Sequence, residues 1–327
     1  MKRISYIDLI RSFCIILMIL GHLWLGNTFN HFIHAFHMPI FFIISGYFYK
    51  EIPFKDFLIK KAKSLIIPYF VFGIIIYIIW YILYSSQESE YIYINLINIL
   101  YKNTEHLAIA GALWFLSSLF FSEIIFYFIN KINANYIKYI LTILISLLGC
   151  TLDSIFDITL PFGINASLVG VGLMEIGLLL SKNKTNRLLN LNIFYSLLLS
   201  IITIFLIFIN KTINMRTNNY DYILLFWIIS FLSFIVLINI SKTIDLKIPI
   251  KIKNELLYIG QNSITYLIFN QLFIVLFYDF FQSIFVFQTA VTKLIVKVLI
   301  FILTMLVIRI ISVLLNNTKL KILLGKY

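Results

Sequence analysis

The chain has 327 residues, of which 61% are apolar and 12% are charged, and its mean hydropathy is +0.98. This composition excludes a soluble globular domain, because so much apolar surface exceeds what a core of this length could hide from water. The net charge of +12 does not indicate a nucleic-acid partner, since the basic residues are scattered through short loops and form no basic arm or patch.

The first 27 residues combine a basic start with an apolar stretch. Asp8 and Arg11 interrupt that stretch and no A-x-A-like cleavage site follows, so we predict a retained first helix rather than a signal peptide. Cys14 and Cys150 both lie inside apolar runs. Neither a disulfide framework nor a metal-binding spacing is available to them, and we predict that they are packing residues.

Apolar runs bounded by polar or turn-forming residues recur along the whole chain, with no hydrophilic block of domain size between them. They predict an all-α polytopic membrane protein, a bundle of about ten transmembrane helices in one membrane-embedded domain over residues 1–327. The predicted spans are 6–26, 37–49, 65–84, 112–129, 137–152, 164–181, 192–210, 222–240, 257–278 and 290–315.

The distribution of basic residues predicts the direction of these spans. With both termini in the cytoplasm, nineteen Lys or Arg residues fall in cytoplasmic segments and three, Lys102, Lys211 and Arg216, fall in outer loops. Positive loop residues are strongly biased to the side from which the chain is inserted. We therefore predict that both termini are cytoplasmic.

Arg11 and His22 bracket the apolar part of the first span. They stand about 16 Å apart along the helix and close to three turns apart, so both point the same way, and Asp8 lies on that face as well. Intramembrane ionisable groups are functional by default. The alternative is that Arg11 reaches the inner headgroups or pairs with Asp8, while His22 only hydrogen-bonds a neighbouring helix.

Histidines cluster beyond the first span, because the short outer connection brings His31, His34 and His37 near His22. No acidic or thiolate partner lies at ligand spacing, so we predict hydrogen-bonding or catalytic histidines and no metal site. After the second span, residues 50–64 carry five lysines beside apolar residues at helical spacing, which predicts an interfacial helix. Its lysines are expected to bind lipid phosphates or an anionic cytoplasmic substrate.

Three later spans carry a charged residue at the level of Arg11. Glu123, Glu175 and Arg309 each lie six residues before the inner end of their span. A charge at the bilayer centre costs about 2.5–3.5 kcal/mol, so four unpaired charges would be prohibitive. We predict that these four residues form a paired or solvated charge layer lining an interior cavity open to the cytoplasm. The alternative is two ion pairs that only fix helix packing.

The ninth predicted span carries a polar stripe. Asn262, Tyr266 and Asn270 recur at i, i+4 and i+8, with Ser263 beside them. The stripe predicts polar groups facing the cavity, with Asn270 at a depth like that of His22. Interhelical hydrogen bonding would also explain it.

These residues together resemble the acyltransferase 3 family of membrane acetyltransferases, and most of all its branch of fucose 4-O-acetylase-like proteins. The resemblance covers almost the whole chain, and Arg11 and His22 match the family's basic-x10-His pattern. It is carried by YIDLIRSFCIILMILGH (6–22), FHMPIFFIISGYF (36–48), the lysine-rich segment into SLIIPYF (64–70), ALWFLSSLFF (112–121) and IGQNSITYLIFN (259–270).

The resemblance implies a ten-helix bundle that takes an acetyl group from acetyl-CoA on the cytoplasmic side and passes it to a hydroxyl of a cell-surface or exported glycan. It implies His22 and Arg11 as the functional pair and no permanently bound cofactor. Many members have a histidine where this chain has Asn270, and Glu175 stands where an apolar or aromatic residue would be expected. We expect the acetyl-CoA site at Arg11, Lys60, Lys61 and Lys63, and the substrate cavity at Asp8, His37, Trp114, Glu123, Glu175, Asn262, Ser263, Tyr266, Asn270 and Arg309.

The leading hypothesis is therefore an O-acetyltransferase of the bacterial cytoplasmic membrane, with acetyl-CoA, a glycan acceptor and the lipid bilayer as partners. A homo-oligomer is compatible with the sequence. The alternative is a glycan or small-solute exporter, since polar residues at matched depth in a multi-span bundle also describe a transport path. Nothing in the sequence selects the acceptor glycan, and direct transfer and a covalent acetyl-histidine stay open.

Overall fold

The computed structural model describes residues 3–101, 103–104, 107, 109–182, 187–284 and 289–326. Lys2, Lys102 and Lys184, which contribute to the predicted charge distribution, lie outside these residues. The described chain is helical apart from its connections, and the β interaction found in it is an isolated bridge between Asn214 and Asn219. The all-α polytopic fold class is confirmed.

Fourteen α-helices occur in the described part of the chain. They are α1 Ser5–His22, α2 Asn27–His34, α3 His37–Tyr47, α4 Phe54–Lys61, α5 Ile67–Tyr84, α6 Ile92–Leu100, α7 Trp114–Asn130, α8 Asn135–Phe156, α9 Ile164–Lys182, α10 Ile193–Ile209, α11 Ile223–Lys247, α12 Ile250–Gln261, α13 Ser263–Ile284 and α14 Ala290–Asn317.

Eight helical segments of the described chain are long and apolar enough to cross a membrane. Each of them overlaps one of the ten predicted spans. The remaining two predicted spans correspond to shorter helices, α3 with 11 residues and α10 with 17 residues. A straight crossing of about 30 Å of hydrocarbon needs about 20 helical residues, so α3 is too short to cross it alone. The direction of the bundle stays a prediction.

The predicted interfacial helix does not end before the next span. α4 continues through a π-helical turn, Ala62–Ile66, directly into α5. Such turns are rare and often occur at functional sites. Lys61 directly precedes the turn, so it lies near the amino-terminal end of one long helical segment, Phe54–Tyr84, rather than on a separate surface helix.

The helix α1 lies at the centre of the bundle, where it packs against α3, α11, α12 and α13. α9 packs along α3, α7 and α8. Close approach at two of these contacts requires glycine. A side chain at Gly260 of α12 would collide with the main-chain carbonyl of Asp8, and one at Gly46 of α3 would collide with that of Met174. Small residues at helix contacts let backbones approach in this way, and the Gly260 contact brings α12 against the Asp8 and Arg11 end of α1.

Candidate active site

Two groups of cavities lie at opposite ends of α1. We call the end that carries Arg3, Lys60 and Lys61 the lysine-rich end, and the end that carries His22 the histidine end. The distribution of basic residues predicts that the lysine-rich end faces the cytoplasm.

At the histidine end, a cavity of about 220 Å³, here called the histidine cavity, is formed by α1, α2, α3, the start of α7 and the loop before α11. It brings together the predicted residues His22, His37 and Trp114. Its other side chains with polar or aromatic groups are those of Trp24, Asn30, His34, Asn214 and Arg216.

Hydrogen bonds fix the imidazoles of two of the three histidines in this cavity. Nδ1–H of His34 donates to the Asn30 carbonyl at 2.7 Å, and Nδ1–H of His37 donates to the Ile33 carbonyl at 2.7 Å. A carbonyl oxygen only accepts, so Nε2 of each neutral ring is an acceptor. The His22 ring makes no hydrogen bond within the described part of the chain, which leaves both of its nitrogens available to a ligand.

His31 does not belong to the histidine cavity. Its Nε2–H donates to the Ile207 carbonyl at 2.9 Å, and its ring contacts that of Phe208, so it packs α2 against the end of α10. The histidine cluster predicted from the sequence is therefore three residues rather than four.

Arg216 is a residue of the histidine cavity that the sequence prediction missed. It lines the cavity, and its Nε–H donates to the Thr104 carbonyl at 2.8 Å. Its guanidinium places a fixed positive charge beside the histidines, where it would stabilise an oxyanion. The sequence feature that could have identified Arg216 is that few basic residues lie in the predicted outer loops, and Arg216 is one of them.

At the lysine-rich end, two adjoining cavities of about 380 and 290 Å³ share a wall, and together we call them the basic cavity. The shared wall carries Arg11, Lys61 and Glu123, all predicted site residues. The larger compartment is lined by five cationic side chains and two carboxylates, which are those of Arg3, Arg11, Lys50, Lys60, Lys61, Asp8 and Glu123. Its positive excess suits an anionic ligand.

Ion pairs hold the shared wall in place. Arg11 Nη1 lies 3.1 Å from Asp8 Oδ1, and Lys61 Nζ lies 2.5 Å from Glu123 Oε1, which also accepts a hydrogen bond from the Ser45 hydroxyl. The pairing of Arg11 with Asp8 was one of the alternatives for this residue. The arginine also remains accessible to the cavity, with 31% of its side chain exposed.

The smaller compartment adds polar groups from α12, α13 and the carboxyl-terminal tail. Asn262 and Ser263 line it as predicted, and Lys326, which was not predicted as a site residue, lines it too. Lys326 Nζ donates to Asn262 Oδ1 at 2.5 Å and to Asn316 Oδ1 at 2.8 Å. Burial lowers the pKa of the Lys326 ammonium, and the positive charge of Arg3 lowers it further.

The basic and histidine cavities are separate in the described part of the chain. Ile15 lines the basic cavity and Met18 the histidine cavity, one helical turn or about 4.5 Å further along α1. Phe41 and Phe115 line the basic cavity, and the Phe115 ring lies 5.6 Å from that of Phe41 and 5.3 Å from that of Phe42. We call these three residues the aromatic layer.

Two members of the predicted charge layer lie elsewhere. Glu175 pairs with Lys138 of α8, Nζ to Oε1 3.1 Å, beside a separate apolar cavity between α8, α9 and Trp227. Arg309 pairs with Glu255, Nε to Oε2 3.1 Å, and lies over the Tyr258 ring. The sequence predicts how deep a residue lies in the membrane but not which way its side chain points around the helix axis. Glu175 and Arg309 therefore pair with residues outside the basic cavity.

The polar stripe of the ninth predicted span is also divided. Asn262 lies at the interruption between α12 and α13, whereas Tyr266 and Asn270 lie within α13. Tyr266 and Asn270 are buried in helix contacts, and the Asn270 amide donates to the Tyr266 and Leu267 carbonyls. Neither residue lines the basic or histidine cavity, and neither does Lys63.

The buried ion pair between Lys138 and Glu175 lies outside both sites, and we expect it to contribute to the stability of the fold. Lys138→Met should lower the free energy of unfolding by about 3–5 kcal/mol, because it leaves the buried Glu175 carboxylate without its cation. The double variant Lys138→Met/Glu175→Leu should recover most of that loss. Thermal unfolding in detergent measures both.

Lys131→Met is the matched control, because the Lys131–Glu51 pair lies at the surface. Its free energy of unfolding should stay close to that of the parent protein, because exposed ion pairs contribute little to stability. Equal unfolding temperatures for the two single lysine variants would contradict the buried role of Lys138.

The helical bundle and these cavities define the chain as an integral membrane protein with two polar sites stacked along α1. A family model described as an acyltransferase domain matches residues 4–316. The chain therefore belongs to the acyltransferase 3 family and is a membrane acyltransferase. No curated protein and no solved structure matches the chain. The family prediction is confirmed, and the fucose 4-O-acetylase-like branch stays a prediction.

Proposed function

We propose that this acyltransferase moves an acetyl group from cytoplasmic acetyl-CoA to a hydroxyl of a cell-surface or exported glycan, in the bacterial cytoplasmic membrane. The observation that carries the proposal is the arrangement of α1, which presents Arg11 to a basic cavity at one end and His22 to a histidine cavity at the other. Each cavity has the chemistry that one of the two substrates needs.

The basic cavity is the donor site in this proposal. The phosphates of CoA are anionic, and the larger compartment carries five cationic side chains against two carboxylates. Lys60 and Lys61 would hold phosphates as point charges, whereas the planar guanidinium of Arg11 can hold two oxygens of one group. The thin pantetheine arm would enter along α1 toward His22, so that CoA itself does not cross the membrane.

The histidine cavity is the acceptor site. A neutral His22 imidazole takes the proton of the acceptor hydroxyl while the hydroxyl oxygen attacks the thioester carbonyl carbon. The new C–O bond forms first and gives a tetrahedral intermediate; its collapse breaks the C–S bond, and the imidazolium gives its proton to the leaving CoA thiolate. The Arg216 guanidinium stands where it can stabilise the oxyanion of the tetrahedral intermediate. A covalent acetyl-histidine would instead give ping-pong kinetics.

In this proposal the thioester passes the aromatic layer on its way from one site to the other. Phe41 and Phe115 line the basic cavity, and Trp114, next to Phe115 in the chain, lines the histidine cavity. The side chains of the layer have to rotate to admit the thioester, and lid-type motions of this kind occur on microsecond to millisecond timescales. Closure of the layer after transfer would keep water away from the thioester.

The function is tested by transfer of label from [14C]acetyl-CoA to a defined acceptor. The acceptor is the surface glycan of a strain deleted for the gene, and the enzyme is the purified full chain in nanodiscs. We expect labelled glycan with the parent protein and none with empty nanodiscs. Mass spectrometry of glycan from the deletion strain should show normal amounts without the acetyl group, whereas loss of the glycan itself would overturn the proposal and indicate export.

A further inference from the structure

Another cavity lies next to the histidine cavity, between α5, the loop before α6, and α13. It has a volume of about 330 Å³, and we call it the aromatic cavity. Its wall carries Trp80, Tyr84, Glu88, Tyr91 and Asn95, none of which has a role in the proposed transfer chemistry. The volume lies at the lower end of the range of about 300–1,000 Å³ found for small-ligand sites.

The aromatic side chains are held in place by hydrogen bonds to carboxylates. Trp80 Nε1–H donates to Glu88 Oε2 at 3.2 Å, and the Tyr84 hydroxyl donates to Asp279 Oδ2. Behind them, the Tyr77 ring lies 5.9 Å from that of Trp80. Fixed aromatic rings offer large apolar faces at low entropic cost.

An unpartnered amide points to a polar ligand. Asn95 is only 3% exposed, yet it lines the cavity and its amide makes no hydrogen bond within the described part of the chain. Its donor and acceptor atoms are therefore available to a ligand that supplies hydroxyl groups.

The charges of the cavity favour an uncharged ligand over an anionic one. The lining contains the Glu88 carboxylate and no lysine or arginine, although the chain as a whole carries a net charge of +12. Carboxylates are acceptors only, so they suit a ligand rich in hydroxyl donors. Aromatic faces, a carboxylate and an amide together match the apolar faces and hydroxyl edges of a sugar ring.

The aromatic and histidine cavities share a wall. Ile109 lines the aromatic cavity, while Gly111 and Ala112 line the histidine cavity. Two residues reach at most about 7 Å. α13 contributes to the same wall. Gln271 Oε1 accepts a hydrogen bond from Gly111 N–H at 2.5 Å, and Val275, one turn further along α13, lines the aromatic cavity. Neighbouring units of one chain can therefore occupy both cavities.

We propose that the aromatic cavity is a second acceptor subsite, which binds an uncharged sugar ring next to the ring that is acetylated in the histidine cavity. The inference rests on the proposed glycan acceptor and deepens it. The acceptor is then an oligosaccharide of at least two units rather than a single sugar, and the subsite sets which unit reaches His22.

Direct binding tests the subsite without any acetyl donor. The probe is the oligosaccharide fraction released from the glycan of the deletion strain, titrated calorimetrically into the parent protein and into Glu88→Gln and Tyr91→Ala. Both variants should bind the oligosaccharide about tenfold more weakly, which is about 1.4 kcal/mol. Their affinity for acetyl-CoA should equal that of the parent.

Asp157→Asn and Tyr93→Ala are the matched controls, because both residues are exposed at the same end of the bundle and line none of these cavities. They should bind like the parent. Thermal unfolding shows whether each variant is folded. A variant that is unfolded is replaced by Tyr84→Phe, which keeps the ring and should also weaken binding.

The two proposals fail in different ways. Oligosaccharide binding that is the same in the parent and in the folded cavity variants, or absent from the parent, would overturn the subsite. Normal oligosaccharide binding by the parent, lost in the variants, but without transfer of labelled acetyl would instead overturn the proposed function and leave the subsite supported.

Discussion

Replacing His22 by alanine should lower the rate of acetyl transfer by about 10²- to 10⁴-fold, the range expected when a positioned general base is lost. His22 lies in the histidine cavity with no hydrogen bond to its ring within the described residues, so it is free to take a proton. The measurement is initial rate with labelled acetyl-CoA and glycan. KM for acetyl-CoA should change little, because the proposed site for the charged part of the donor lies at the other end of α1.

His31→Ala is the matched control, since His31 lies on the neighbouring helix but bonds the Ile207 carbonyl outside the cavity. It should keep most of the parent rate. His34→Ala and His37→Ala test whether either of the other two imidazoles, whose Nε2 atoms are also acceptors, is the base instead of His22. A folded His22→Ala protein that transfers acetyl at the parent rate would refute the assigned role.

Replacing Arg11 by alanine should raise KM for acetyl-CoA by about 10- to 100-fold, since a hydrogen bond to a charged group contributes about 1.5–3 kcal/mol. The guanidinium lies in the wall shared by the two compartments of the basic cavity. The substitution also leaves the buried Asp8 carboxylate without its cation, so the unfolding temperature should fall. Arg11→Lys restores the charge and should recover part of both losses.

Arg309→Ala provides a close control. The side chains of Arg11 and Arg309 are both 31% exposed, and the sequence predicts the same depth for both. Arg309 lies outside the basic cavity, where its partner Glu255 is itself exposed. KM for acetyl-CoA should therefore be unchanged in Arg309→Ala. If the two arginine variants raised KM equally, depth in the membrane rather than the basic cavity would determine donor binding.

The pattern of intramembrane charges shows how far sequence reasoning reached. Its premise was correct for the four predicted residues, because Arg11, Glu123, Glu175 and Arg309 all have an ion-pair partner. Three of the partners were not foreseen: Lys61 comes from the predicted interfacial helix, Glu255 from a predicted loop, and Lys138 from the start of the predicted span 137–152. An ion pair depends on which helix faces meet, and a single sequence carries no measure of helix rotation.

The placement of Asn270 illustrates the same limit. Polar residues at i, i+4 and i+8 predicted a stripe on one helix, but Asn262 lies at the interruption between α12 and α13. Asn262 and Ser263 reach the basic cavity, whereas Asn270 bonds carbonyls of its own helix. α12 and α13, which meet at Asn262, both pack against α1. Their packing depends on residues far apart in the chain, so the pattern within one segment does not predict it.

Hydropathy and the spacing of Arg11 and His22 determined the membrane class, the helical fold and the two ends of the site, because each depends on segment length or on the geometry of one helix. The tertiary structure alone decided which charges pair, that the basic and histidine cavities are separate, and that Arg216 and the aromatic cavity lie beside the histidines. Those features arise where several helices and loops meet. They depend on long-range packing, which no local pattern in the sequence encodes.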